Sequence, residues 1–489
     1  MNKKYFSTLL KNTIIVMGTG LIVKLIGLFG KIMTTRILGI EGMSLYVLSY
    51  PTLLLFINIS GFSLNTTISK LTSEAIATKK YSPKKILYNG IKLSLLISLI
   101  CGVIYLLTIR TISNSFLKND NLFFPLLSGI FLIFLVGISD GLRGYYNGIK
   151  HMKTASLSLL IEQIARTFFS LLFVIISYKK NIIVANCLLF IALALGEIAS
   201  ITFCLIKMRK DKIISYANTT GEKSIVWKMS SMLTFSRLIG SFTYFLEPII
   251  YTFVLTKSGL STTNIHNSYT LIDALIFPFL TLISFIPFSL STSIIPHISE
   301  SFALNDNEKL NYYLHKVFMF TLIPSIIAMI IIYFYSSELM MLLYKTNEGY
   351  LITRQCCFYF ILYYLQIVIG SIIQALGKVK FLFFNSCLLN ILRLILIAIL
   401  SLIPKISTNS LIYASIITFS ISLISLGAYL FKSTLYKPKL NNLLLIIIFF
   451  LFNFSSLKFL TIFEVNYLLS IIILVIINLI LIFKNKKDF

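Results

Sequence analysis

Charged residues are scarce in this chain. They make up 12% of its 489 residues, about half the roughly 25% that a soluble domain carries. The four histidines, His151, His266, His297 and His315, are scattered. No HExxH, Walker A or GxSxG pattern occurs, so zinc hydrolysis, ATP hydrolysis and serine-esterase chemistry have no basis in the sequence. The six cysteines, Cys101, Cys187, Cys204, Cys356, Cys357 and Cys387, lie inside apolar runs and form no CxxC. That pattern provides neither a disulfide framework nor a zinc site. The expectation is a chain with no catalytic residues, no metal and no cofactor.

What is abundant is apolar surface. Hydrophobic residues reach 57% and the mean hydropathy is +0.90. Spanning roughly 30 Å of hydrocarbon takes about 20 helical residues at about 1.5 Å each. About fourteen such runs recur, at 12–38, 44–69, 84–110, 121–145, 155–178, 183–207, 229–256, 268–297, 313–335, 350–377, 380–403, 410–432, 440–462 and 466–484. Polar residues and prolines interrupt the seventh and eighth. The segment Met1–Lys11 is basic and lacks a cleavage-site pattern, so the first run is expected to stay as a helix. The fold class is all-α membrane protein.

The net charge of +26 invites a nucleic-acid reading, but the cations cluster between apolar runs, as the positive-inside rule expects. With the N-terminus in the cytoplasm, the inner connections and termini hold roughly 27 Lys and Arg and the outer ones roughly 9. Both termini are then cytoplasmic. The richest inner segment holds Lys207, Arg209, Lys210, Lys212, Lys223 and Lys228, and reads as a linker between halves.

The halves repeat. Lys24-Leu-Ile-Gly27 matches Arg237-Leu-Ile-Gly240, Pro51 matches Pro278, Ile68–Glu74 matches Ile294–Glu300, and Arg166 matches Arg393. The last three share an offset of about 227 residues. Six helices separate equivalent positions, an even number, so the repeat is parallel about the membrane normal. The organisation read from this is an N-terminal six-helix lobe at 1–210, a basic linker at 211–228, a second six-helix lobe at 229–435, and two additional helices at 436–489.

A charge inside the bilayer costs at least about 2.5–3.5 kcal/mol on insertion scales, so each needs a reason. Lys24 and Lys31 share one face of the first helix with Gly20 and Gly27. Lys24 and its repeat partner Arg237 sit deep, whereas Lys31 and Arg36 have snorkelling toward headgroups as their alternative. Arg393 has Leu389 rather than an acid four residues before it. Lys24, Lys31, Arg237 and Arg393 are therefore the candidate substrate-binding cations, suited to a phosphate or diphosphate. Glu162 and Arg166 form an i,i+4 pair able to neutralise itself. Glu197, Glu247 and Asp273 are further acids in apolar helices, and Glu247 precedes Pro248, where a kink is expected. Asn58 and Asn65 lie at helical spacing in the second run. Asn58, Asn65, Glu162, Arg166, Glu247 and Asp273 are candidates for a cavity lining or for coupling to a monovalent cation or proton. Packing and charge neutralisation are the plainer alternatives for each.

The stretch from Lys24 through Gly27, Gly30, Lys31 and Arg36 to Glu41-Gly42, with Tyr50-Pro51, Gly61-Phe62 and Ile68-Ser69-Lys70, resembles the start of stage V sporulation protein B-like proteins. Asp140-Gly-Leu-Arg143-Gly144 through Gly148, followed by Ile161-Glu162-Gln163 and Arg166, resembles their fourth and fifth helices. The layout is similar to the polysaccharide-transporter branch of the multidrug, oligosaccharidyl-lipid and polysaccharide exporter superfamily. Those relatives often carry arginines where this chain has Lys24 and Lys31, and a proline where it has Phe62. The resemblance implies a V-shaped, two-lobed bundle that flips an undecaprenyl-linked saccharide. It implies a peptidoglycan precursor as cargo, with spore cortex as one setting, in the bacterial cytoplasmic membrane.

Three other readings compete. A cation-coupled small-molecule exporter on the same fold would favour acids in its cavity, whereas buried bases predominate here. A membrane-embedded polymerase or ligase would need a substantial outer loop with catalytic Arg or His, and none is present. A scaffold without transport leaves the paired repeats unexplained. The partners expected are a lipid-linked saccharide and membrane lipids, with no nucleic acid, and the chain is expected to be a monomer.

Overall fold

The computed structural model describes residues 3–211, 213–216, 220–304, 306–434 and 440–484, without side chains for Lys3–Met17, Ser236, Thr292–His297, Ala303, Leu440–Leu445 and Leu479–Lys484. Lys212 of the linker and His297 of the repeat therefore fall outside the side chains described. Every element among the described residues is helical, because a bilayer leaves backbone groups no partner but their own helix.

The chain divides into two compact units: Met1–Thr270 with Ile397–Thr408, and Leu271–Leu396 with Asn409–Phe489. The first holds α1 (Lys3–Ser60), α2 (Leu64–Thr78), α3 (Pro83–Thr111), α4 (Phe123–Ser128), α5 (Ile130–Gly148), α6 (Met152–Ser177), α7 (Ile182–Lys210), α8 (Glu222–Lys257) and α9 (Thr262–Thr270). Its core lies where α2, α3 and α5 meet: Phe62, Leu64, Ile68, Leu142, Tyr145 and Tyr146 are buried together. The segment 397–408 belongs here because the Tyr251 hydroxyl of α8 donates to the Thr408 carbonyl at 2.6 Å.

The second unit holds α10 (Phe277–Leu280), α11 (Phe285–Ala303), α12 (Asn307–Tyr344), α13 (Tyr350–Cys356), α14 (Phe360–Ala375), most of α15 (Val379–Ser401), α16 (Ser410–Thr434), α17 (Leu440–Ile462) and α18 (Tyr467–Lys484). One core packs α11, α12, α14 and α16 through Ile298, Leu314, Ile372 and Leu430. A second packs α17 and α18 against α12 through Ile326, Ile330, Phe449 and Leu474. Asn478 donates to Asn453 at 2.6 Å, a buried polar contact that fixes how α17 and α18 pair.

Each apolar run read from the sequence falls in helix. By length and hydropathy, ten described helices are fit to cross a membrane, and a bent pair, Thr262–Leu280 with Leu282–Ser291, makes an eleventh. The first of them, Gly18–Thr78, has 61 residues; straight, it would reach roughly 90 Å, so it must hold two passes. The chain breaks between them at Gly39, whose φ of 69° and ψ of −177° suit only glycine. The two additional C-terminal runs appear as shorter apolar helices, Ile446–Ile462 and Tyr467–Asn478. The interruptions in the eighth run become an irregular path: a π-helical turn at Leu271–Ile276, α10, a 3-10 turn at Leu282–Ser284, then α11. In the seventh run α8 continues through Pro248. Proline removes one donor, and in a membrane the neighbouring groups allow the helix to continue past it.

Candidate functional site

Three consecutive helices of the first unit bring their charges to one point. The fifth helix approaches α2 closely because a Cβ at Gly144 would lie 2.7 Å from the Asn65 carbonyl oxygen; no larger residue fits there. This approach holds Ser139, Asp140 and Arg143 in the interior beside α6 and α7. Glu162 and Arg166 come from α6, one turn apart, and Glu197 from α7.

The Arg143 guanidinium is the hub. Its Nη1 donates to Glu162 Oε2 at 2.5 Å, and its Nη2 donates to Ser139 Oγ at 2.8 Å and Asp140 Oδ1 at 3.3 Å. The same nitrogen lies 3.5 Å from Glu197 Oε2. Arg166 Nη2 donates to Glu162 Oε1 at 2.5 Å and reaches Glu197 Oε1 at 3.5 Å. Ser139 Oγ donates to Glu197 Oε2 at 2.5 Å. Arg143, Glu162 and Glu197 are 5%, 7% and 4% exposed. Three carboxylates face two guanidinium groups here, so opposite charges largely offset one another, as charges set in apolar helices must.

The other candidates from the sequence distribute as follows. Lys24 is exposed and Lys31 half-buried on α1, which packs on α6; Gln163 approaches within 3.2 Å of where a Cβ on Gly27 would stand. Arg237 is exposed, and its carbonyl accepts from Ser241 Oγ at 3.3 Å. Asn58 donates to Ser241 Oγ at 2.7 Å, tying α1 to α8, and Asn65 accepts from Asn147 Nδ2 at 3.2 Å, tying α2 to α5. Glu247 is buried on α8. Asp273 lies in the π-helical turn and Arg393 on α15, both half-buried in the second unit. The structure therefore joins Glu162 and Arg166, while Asp273 and Arg393 lie in the second unit.

Sequence reasoning missed Arg143 and Ser139 as site residues and did not connect Glu197 to them. A depth argument would have found them. Arg143 lies five residues before the end of α5, Glu162 ten after the start of α6 and Glu197 thirteen before the end of α7, so antiparallel neighbours put all three within about 12 Å of one level. Among the described residues, no group of His, Cys, Asp and Glu is arranged to hold a metal ion.

A helical bundle with two passes in its first element, many further apolar spans and a buried cluster of opposite charges among its helices defines a multi-pass membrane protein. Comparison with known proteins narrows the class. A family model described as polysaccharide biosynthesis protein matches residues 9–302, well over half the chain, and the chain belongs to that family. A MatE model matches 274–399. Stage V sporulation protein B of Bacillus subtilis (strain 168) is 28% identical over 409 residues, covering 81% of this chain and 79% of that one. The lipid II flippase MurJ of the same organism is 23% identical over 349 residues, covering 66% and 64%. Among solved structures, a lipid II flippase MurJ in an inward closed conformation has a TM-score of 0.66 at 18% identity, covering 96% of this chain and 97% of that one. An inward-facing multidrug resistance MATE family transporter has a TM-score of 0.61 at 13% identity, covering 84% and 96%. The fold is that of these transporters, and the chain is a multi-pass membrane protein of the polysaccharide biosynthesis family.

Proposed function

We propose that this protein flips an undecaprenyl-linked saccharide, a peptidoglycan precursor by the nature of its relatives, across the bacterial cytoplasmic membrane by alternating access. The observation that carries this reading is the pair of cations, Lys24 and Arg237, set in apolar helices of one unit, in a chain whose relatives include stage V sporulation protein B and a lipid II flippase. Both side chains are exposed rather than sealed in the core, as binding the diphosphate of a lipid-linked sugar requires. In this scheme the substrate is bound on one side of the membrane and released on the other as access alternates. The energy source is a monovalent cation or proton in this scheme, and the working unit a monomer.

Lysine offers a point charge and arginine a planar fork, so Lys24→Arg should be tolerated where Lys24→Ala is not. Flipping of a fluorescent lipid-linked saccharide in proteoliposomes should fall at least about tenfold in the Lys24→Ala, Arg237→Ala double variant, the equivalent of about 1.4 kcal/mol. Full activity in a folded double variant would overturn the assignment. A second reading, export of a small molecule coupled to a cation, is favoured by the MatE match and the MATE-like fold. Transport of a cationic dye, with no flipping of the saccharide lipid, would select it.

A further inference from the structure

A cavity of about 620 Å³ opens between the second and third turns of α3 and the first turns of α8, lined by Asn89, Leu93, Glu222, Lys223, Ser224 and Trp227. Both helices belong to the first unit, and the cavity lies toward the N-terminal ends of both. We propose that it binds the headgroup of an anionic glycerophospholipid, whose acyl chain runs down α3.

The charge around the opening is complementary to a phosphate. Lys223 lines it, and Lys92 and Lys85 stand on α3 about one turn to either side of Asn89; all three are exposed. The acid in the lining is turned elsewhere: Glu222 is buried, and its Oε1 accepts from the Ser82 backbone N–H at 3.2 Å. Asn89 and Ser224 supply neutral donors. Basic pockets between membrane helices at the bilayer surface are the usual places where acidic headgroups are held.

The aromatic and apolar surroundings fit a lipid rather than a soluble phosphate. Trp227, the only tryptophan of the chain, is 52% exposed with its ring tilted against Phe62 at 5.4 Å. An indole half-seated in this way suits the ester and glycerol level of a membrane. Down α3 from the cavity, Leu96, Ile100, Val103 and Leu107 are exposed, and their spacing from Asn89 keeps them within about 40° of its face. The same helix face thus passes from lysine and asparagine to a continuous apolar stripe, in the order of the parts of a phospholipid.

The test uses the full chain purified in detergent and followed by thermal unfolding. Phosphatidylglycerol should raise the melting temperature in a saturable manner; phosphatidylcholine and soluble glycerol phosphate should not. Lysines near a membrane surface contribute about 1 kcal/mol each, so Lys92→Gln with Lys223→Gln should raise the half-saturating phosphatidylglycerol concentration roughly thirty-fold. Lys150→Gln with Lys153→Gln, two exposed charges elsewhere, should leave it unchanged. Trp227→Ala should weaken the response to phosphatidylglycerol without creating one to glycerol phosphate. The proposal is overturned if phosphatidylcholine stabilises equally, if glycerol phosphate alone reproduces the effect, or if the Lys92, Lys223 double variant responds like the parent.

Discussion

Arg143 is the residue on which the interior of the first unit turns. It faces Glu162, Asp140, Glu197 and Ser139 at once, and a lysine has one ammonium where this geometry uses two guanidinium nitrogens. Removing one partner of a buried ion network leaves the others uncompensated, at a cost of about 3–5 kcal/mol. Arg143→Gln should therefore lower the melting temperature and yield of folded protein sharply. Adding Glu162→Gln should recover part of the loss, because one stranded carboxylate is then neutral; a coupling above about 1 kcal/mol is expected for groups in direct contact. Additive effects of the two substitutions in thermal unfolding would count against the hub. One bond of this network was legible beforehand, since Glu162 and Arg166 are four apart on one helix. The rest was not, because Arg143 and Glu197 meet that pair across helices and the one-dimensional pattern shows spacing along an element but not depth between elements. The candidate cations Lys24 and Arg237 were legible for the opposite reason: a charge in an apolar run is conspicuous wherever it points.

The helices carry their own marks of constraint. Between α1 and α2 the second pass breaks at Gly61–Ser63, and Phe62 and Ser63 have φ of 50° and 47°, a conformation that costs a non-glycine residue roughly 1–2 kcal/mol. The break is held from both sides: Phe62 rests on Trp227, and Thr234 of α8 donates to Ser63 Oγ at 3.3 Å. Ser63→Gly should relieve the backbone and give up only that one hydrogen bond, leaving stability within about 1 kcal/mol of the parent. Ser63→Val has the same strain, adds a branched Cβ and loses the hydroxyl, so it should be less stable than the glycine variant by about 1–2 kcal/mol. Equal melting temperatures for the two would mean that the left-handed turn is not retained. The repeat seen in sequence has an echo here. Helical segments start at Phe123 and Tyr350 and close at Gly148 and Ala375, both at the offset that separates Arg166 from Arg393. The limits of α3, α6 and α7 were readable from hydropathy to within about three residues, whereas α12 runs to Tyr344, well past the expected 335. The irregular path from Leu271 to Ser284 was not, because prolines and small polar residues announce an interruption without fixing whether a π turn, a 3-10 turn or a kink results.

On the scale of the whole molecule, hydrogen bonds sort the loops of the first unit into two faces, and charge says which face is which. The Lys84 N–H donates to the Ile214 carbonyl at 3.1 Å, and Tyr216 N–H to Ser82 Oγ at 3.2 Å, so the turn before α3 and the linker before α8 share a face. His266 lies 2.8 Å from the Leu117 carbonyl and 3.4 Å from Asn119 Nδ2, so the connections after α3 and α8 share the other. The first face carries Lys79, Lys80, Lys84, Lys85, Arg209, Lys210 and Lys223, all exposed, and the positive-inside rule puts such a face in the cytoplasm. The loop after α6, with exposed Lys180, is then expected outside. Single cysteines at Lys79 and Lys180 test this in intact cells, because the native thiols lie within apolar helices and none is fully exposed. A membrane-impermeant maleimide should label Lys180→Cys from outside and reach Lys79→Cys only after the membrane is opened. The reverse pattern would invert the whole bundle, and with it the side from which an anionic substrate meets Lys24 and Arg237. Labelling of both from outside would break the shared-face assignment itself, since two loops on opposite sides of α3 through α6 cannot face one compartment without removing a span.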